Sequence, residues 1–133
     1  MKPTVRMMMN PKTHAVSADM PIREAITVLI EQGVTDTPVV DRDGDYLGVL
    51  SEFDCLRLIA EGDDEFNEAK GTAGAYFSST VPHVSPEVDI YYVAGMFLRE
   101  PQHRRFAVLD QGELVGVITR KDVLRALIDL LPK

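Results

Sequence analysis

Two phrases in the chain, GVLSEFDCL (Gly48–Leu56) and GVITRKDVL (Gly116–Leu124), each set a hydroxyl and a carboxylate three residues apart behind an apolar pair. The pairs are Ser51 with Asp54 and Thr119 with Asp122. Both phrases read as the end of a strand running into a helix. At such a junction a hydroxyl is a good N-cap, and a carboxylate in the first turn suits the helix dipole. Capping is therefore one complete account of the phrase. The same geometry also suits a sugar phosphate. A helix start offers unpaired N–H groups to an anion, the hydroxyl can donate to a phosphate oxygen, and the carboxylate can accept both hydroxyls of a ribose.

The two copies differ in charge. The first encloses Glu52 and Phe53, the second Arg120 and Lys121. His103, Arg104 and Arg105 precede the second copy's first hairpin strand, where the first copy has Val34, Thr35 and Asp36. These cations are either solvated surface charge or the means by which one copy attracts phosphate better than the other.

The likeness extends beyond the phrase, as a structural duplication requires. At an offset of 68 residues Val16-Ser17 matches Val84-Ser85, and Ile22 matches Ile90. One extra residue in the second copy aligns Val39 and Asp41 with Val108 and Asp110, and a shorter turn then restores the offset for Gly44, Gly48, Asp54 and Arg57. Each copy reads as an extended piece, a helix, a hairpin and a second helix. The first helices, about 21–32 and 89–99, carry apolar residues at i, i+3, i+4 and i+7 and stop at Gly33 and Pro101. Asp and Gly at the turns supply the hairpins. The second helices fall at about 52–61 and 120–131. The acidic, then Gly/Ala-rich stretch between the copies reads as a linker, with a short helical piece near 64–69. The expected division is a first repeat over 1–62, a linker over 63–74 and a second repeat over 75–133.

At 133 residues the chain is one domain or two half-sized units sharing a core. No apolar run approaches the roughly 20 residues of a membrane span, and no signal peptide is read. A single cysteine, Cys55, excludes an intrachain disulfide; it reads as a buried or half-buried apolar filler in a reducing compartment. The net charge of −7 argues against nucleic-acid binding, and residues 1–74 carry all of it. His14, His83 and His103 have no metal-ligand spacing, and no paired cysteines or clustered carboxylates are expected, so no metal site is read.

On these residues the chain resembles a tandem pair of CBS domains, the Bateman module, over about 4–62 and 75–131. The opening VRMMMN (Val5–Asn10) matches the family's apolar-basic-x-x-Met-polar phrase, and Pro38–Asp54 and Val108–Asp122 match its PVVD…G…GV(S/T)xxD phrase. Phe77 stands where the second copy would carry the family's Met, and Ala107 replaces its Pro. The resemblance implies an α+β fold of two β-α-β-β-α repeats, paired through their sheets about a pseudo-twofold axis. It implies clefts between the repeats for AMP, ADP, ATP or S-adenosylmethionine, with no required cofactor. Asp54 and Asp122 would hold ribose, and Ser51 and Thr119 phosphate. Thr13, His14, Ala15 and Val16, and Pro82, His83 and Val84, would line the adenine pockets, largely through backbone. Arg104, Arg105, Arg120 and Lys121 make the cleft of Thr119 and Asp122 the expected phosphate site.

No GxxxxGK loop and no GxSxG motif appears, and nothing in the sequence gives Cys55 an activating base, so no catalysis is expected. The expected role is a cytoplasmic regulatory module that senses an adenosine ligand, as in energy sensing, and passes its signal to an effector on another chain, since none is attached. The alternative is a ligand-free interaction module. Val123, Leu124, Leu127, Ile128, Leu130 and Leu131 cover more of the last helix than one core face needs, and the resemblance implies a homodimer.

Overall fold

The computed structural model describes residues 2–11, 14–61 and 71–130. Thr13, Leu131 and the helical piece expected near 64–69 lie outside the described residues. In chain order the elements are α1 (Val5–Met8), β1 (Val16–Ser17), α2 (Ile22–Gln32), β2 (Asp36–Val40), β3 (Tyr46–Ser51), α3 (Glu52–Glu61) and a 3₁₀ turn at Ala73–Ala75. Then follow β4 (His83–Val84), α4 (Ile90–Arg99), β5 (Arg105–Asp110), β6 (Glu113–Thr119) and α5 (Arg120–Leu130). The fold is mixed α and β, with the β-α-β-β-α unit present twice. Each copy has one three-stranded sheet, β1-β2-β3 or β4-β5-β6, with its first pair parallel and its second antiparallel. Among the described residues no helix is long and apolar enough to cross a membrane.

The sequence patterns explain the elements. In α2, Ile22, Ala25 and Leu29 fall on one face and are buried, and Gly33 ends the helix at φ 64°, a conformation that favours glycine. In α4, Ile90, Val93 and Phe97 do the same, and Asp89 caps the start by accepting the Tyr92 N–H at 2.9 Å. The Phe97 and Phe106 rings pack at 4.5 Å between centroids.

The compact units divide the chain differently from the repeats. One unit is His14–Val81; the other joins Met1–Thr13 to Pro82–Lys133. In the second unit Val5 is fully buried, and its N–H donates to the Val88 carbonyl at 2.8 Å. Asn10 exchanges backbone hydrogen bonds with Val117 on β6, at 2.8 and 3.0 Å. Arg6 reaches Glu87 at 2.9 Å and Asp110 at 3.2 Å. These exposed ion pairs add little; burying Val5 is worth about 1.5–3 kcal/mol and holds the strap in place. The first unit has a matching strap. Ser78 exchanges two 2.9 Å hydrogen bonds with Val49 on β3. The Gly/Ala-rich stretch, expected to be linker, also packs in this unit: Ala73 is fully buried and its N–H donates to Met20.

The straps explain why each repeated phrase begins with glycine. A Cβ on Gly48 would sit 2.2 Å from the Ser78 carbonyl oxygen and 2.7 Å from the Phe77 ring. A Cβ on Gly116 would sit 2.6 Å from the Asn10 carbonyl oxygen. Both obstacles are backbone, which cannot step aside. Gly48→Ala and Gly116→Ala are each expected to lose roughly 1–3 kcal/mol in urea unfolding, the usual range for overpacking. Unchanged midpoints would show that the straps are not held.

Candidate functional site

The repeated phrases fold as strand-to-helix junctions, β3 into α3 and β6 into α5. At the first, the Asp54 carboxylate accepts the Ser51 N–H at 2.8 Å and the Ser51 hydroxyl at 3.0 Å, and the Asp54 N–H donates to Ser51 Oγ at 3.2 Å. At the second, Asp122 accepts the Thr119 N–H at 2.9 Å, and its own N–H donates to Thr119 Oγ1 at 3.2 Å. Arg125 pairs with the other carboxylate oxygen of Asp122. Both aspartates therefore close their own helix starts, as the capping account requires. Asp122 is 4% exposed, so a ribose reaching it must take the place of Arg125, whose side chain is 63% exposed and can swing away.

Strand register shows which residue lies across from each motif hydroxyl. Asp36 lies directly across from Ser51, and Arg105 directly across from Thr119. The two hydroxyls thus have neighbours of opposite charge on the adjacent strand. Asp36 is buried, and its charge, after the larger effect of burial, helps push the Tyr46 phenol up to about 12. The first junction is acidic from Asp36 and Glu52 together; the second carries Arg105 and Lys121.

The remaining expected site residues are dispersed. Arg104 and Lys121 are exposed. Arg120, expected to face an anion, donates to the carbonyls of Pro101 and His103 and fixes the loop that leads to Arg104 and Arg105. His83 pairs with Ala107 and Val84 with Val108, both along β5; His83 is exposed, Val84 is buried and Pro82 is half-buried. His14 and Ala15 are exposed, and Val16 is buried beside Val39. Thr37, which the sequence did not single out, is 2% exposed and donates its hydroxyl to the His14 carbonyl at 3.1 Å, fixing the backbone of the extended piece. A threonine in a strand gives no sequence signal of that role.

One expectation needs correction. Clustered carboxylates do occur: Asp41, Asp43 and Asp45 bring their oxygens within 4.8 Å of one another in the β2–β3 turn. The turn explains them, because Asp41 accepts the N–H groups of Asp43 and Asp45, both at 2.9 Å. Their spacing of two residues and the hairpin turn that holds them were both legible in the sequence; the convergence of the three carboxylates within that turn was not read from them.

The CBS domain family model matches residues 5–61 and again 73–129. The chain belongs to the CBS domain family. Its two CBS repeats superpose on CBSX2 from Arabidopsis thaliana, solved in complex with AMP, with a TM-score of 0.82 and 30% identity, covering 96% of this chain and 98% of that one. It is 28% identical over 129 residues to the A-adding tRNA nucleotidyltransferase of Aquifex aeolicus, covering 97% of this chain. It is 27% identical over 114 residues to the human 5'-AMP-activated protein kinase subunit gamma-3, covering 81% of this chain. The chain spans 15% of the length of the first of these two and 23% of the second. CBS pairs thus occur within larger proteins of unlike activity, some of them enzymes.

Cys55 follows Asp54 and is buried. Burial, then the charges of Asp54 and Glu52, push its thiol from 9.0 up to about 11. The folded chain therefore keeps a proton that the unfolded chain releases, and this residue's contribution to stability falls as pH rises through that interval. Two pH units lower the thiolate fraction by about 100-fold, so native protein at pH 8.5 should react with iodoacetamide at least tenfold more slowly than protein in urea. Equal rates would show an accessible thiolate.

Proposed function

We propose that the chain is a regulatory module that binds an adenosine-containing ligand of the AMP, ADP, ATP or S-adenosylmethionine class, with its phosphate at the second junction. The carrying observation is the register that sets Arg105 across from Thr119 and Asp36 across from Ser51. At about 4 Å a unit charge pair is worth roughly 1 kcal/mol in water and roughly 4 at an effective dielectric of 20. Exchanging an anion for a cation there changes phosphate affinity by about 2 kcal/mol even at the lower limit, or about 30-fold. The helix start of α5 supplies N–H groups, Thr119 a hydroxyl, and Asp122 a diol acceptor once Arg125 moves. Ser51 and Asp54, with His14, Ala15 and Val16 upstream, form the weaker counterpart. Pro82, His83 and Val84 offer backbone to the base. The complex of CBSX2 with AMP supports the ligand class.

Ligand binding would bias the arrangement of the module, and that bias is the signal to an effector. The proposed role involves no catalysis, and the proposed compartment is the cytoplasm. A specific observation also favours self-association: Ile30, Leu56, Ile59, Leu98, Leu124 and Ile128 are more than half exposed, too much apolar surface to leave in water. A homodimer covering these helix faces is the proposed assembly.

Calorimetry with AMP tests the ligand reading. Asp122→Ala and Arg105→Gln should each weaken AMP at least tenfold, and Asp54→Ala by less than about threefold. The reverse order would refute the choice of junction. Absence of heat with AMP, and of any melting shift with ADP, ATP or S-adenosylmethionine, would leave the interaction module as the reading.

A further inference from the structure

Both repeats carry an arginine three residues past the motif aspartate, Arg57 after Asp54 and Arg125 after Asp122. Residues three apart on a helix are surface neighbours, so each arginine starts within reach of its carboxylate. The two repeats use this spacing differently. Among the described residues no ion pair joins Arg57 to Asp54, which turns one oxygen, Oδ2, to both the N–H and the hydroxyl of Ser51. In the second repeat Asp122 Oδ2 accepts the Thr119 N–H, and Oδ1 accepts from Arg125 Nη2. Asp54 is half-buried, whereas Asp122 is 4% exposed. A carboxylate that deep is costly to strip of its partner, so Oδ1 of Asp122 exchanges one donor for another. The donor it holds belongs to a side chain that is 63% exposed, which water can receive when it leaves.

We propose that Arg125 is a latch on the second junction: it occupies the diol-accepting carboxylate in the unliganded chain, and a ribose enters by displacing it. The inference rests on the ligand reading proposed above and adds how that site is regulated. A ligand that binds only the unlatched form shows an affinity reduced by the fraction unlatched. Ion pairs with one exposed partner shift an equilibrium by up to about fivefold. The latch therefore sets a threshold of that size on the second junction and none on the first. Salt screens the exposed guanidinium and weakens the latch, but it leaves the hydrogen bonds of a neutral diol almost unchanged. The latch thus has a salt signature that a packing role of Arg125 would lack.

Adenosine is the probe, because it brings the diol without a phosphate to attract Arg125. Its affinity at the second junction is read from the amides of Thr119 to Asp122 in ¹⁵N-labelled protein. Arg125→Gln should bind adenosine there about two- to fivefold more tightly than wild type, and Arg57→Gln should leave that affinity unchanged. Wild-type affinity should rise about twofold from about 20 to about 300 mM KCl, and that of Arg125→Gln should stay level. Should Arg125→Gln fail to fold by circular dichroism, the wild-type salt series decides alone. Weaker binding by Arg125→Gln would make Arg125 a ligand contact and overturn the latch. Equal binding by both chains, or a wild-type affinity that does not rise with salt, would overturn it too. AMP binding at these amides with no adenosine binding by either chain would overturn the latch and leave the ligand reading standing. Silence of these amides toward AMP and adenosine alike would overturn both.

Discussion

Strand register is the constraint on which the chemistry of this chain depends. Each hairpin fixes which side chain lies across from the motif hydroxyl, and a slip of one residue would turn that side chain to the other face of the sheet. In one hairpin the opposite residue is Asp36, in the other Arg105. Two junctions with the same strand-to-helix course, the same hydroxyl-x-x-Asp spacing and the same pair of backbone capping hydrogen bonds thereby acquire neighbours of opposite charge. Duplication supplies the geometry; a few charge changes would separate the roles proposed for the two junctions.

The register is itself secured from outside the hairpins. Each motif strand has a strap on its free edge, Asn10 on β6 and Ser78 on β3, and each strap passes where Gly116 or Gly48 has no side chain. Asn10 lies about 107 residues before its partner Val117, and Ser78 about 29 residues after its partner Val49. A strap therefore couples the ordering of a motif strand to a distant part of the chain. The same closeness that covers the strand edge also fixes the sequence there as glycine.

Much of this was legible in the residues. The i, i+3, i+4, i+7 spacing of Ile22, Ala25, Ile26 and Leu29 set α2 to within a residue, and the doubled phrase gave both junctions. The family followed from the same phrases. The straps were not legible, because Val5 and Asn10 form long-range contacts that no local pattern encodes. Thr37 was missed for the same reason, since its bond to the His14 carbonyl arises only once the strands pair; the Asp41–Asp45 cluster, by contrast, is local to the Asp/Gly turn. Arg120 shows the converse. Its charge and position suggested an anion ligand, whereas its guanidinium serves the carbonyls of Pro101 and His103. Residue type announces what a side chain can bind; packing decides what it does bind.

The account is tested most directly by following backbone amides during an AMP titration of ¹⁵N-labelled protein. Amides from Thr119 to Asp122 should shift saturably, and at lower AMP concentration than those from Ser51 to Asp54. Earlier movement of Ser51 to Asp54, or no movement at either junction at millimolar AMP, would contradict the claim that the charge across the hairpin selects the nucleotide site.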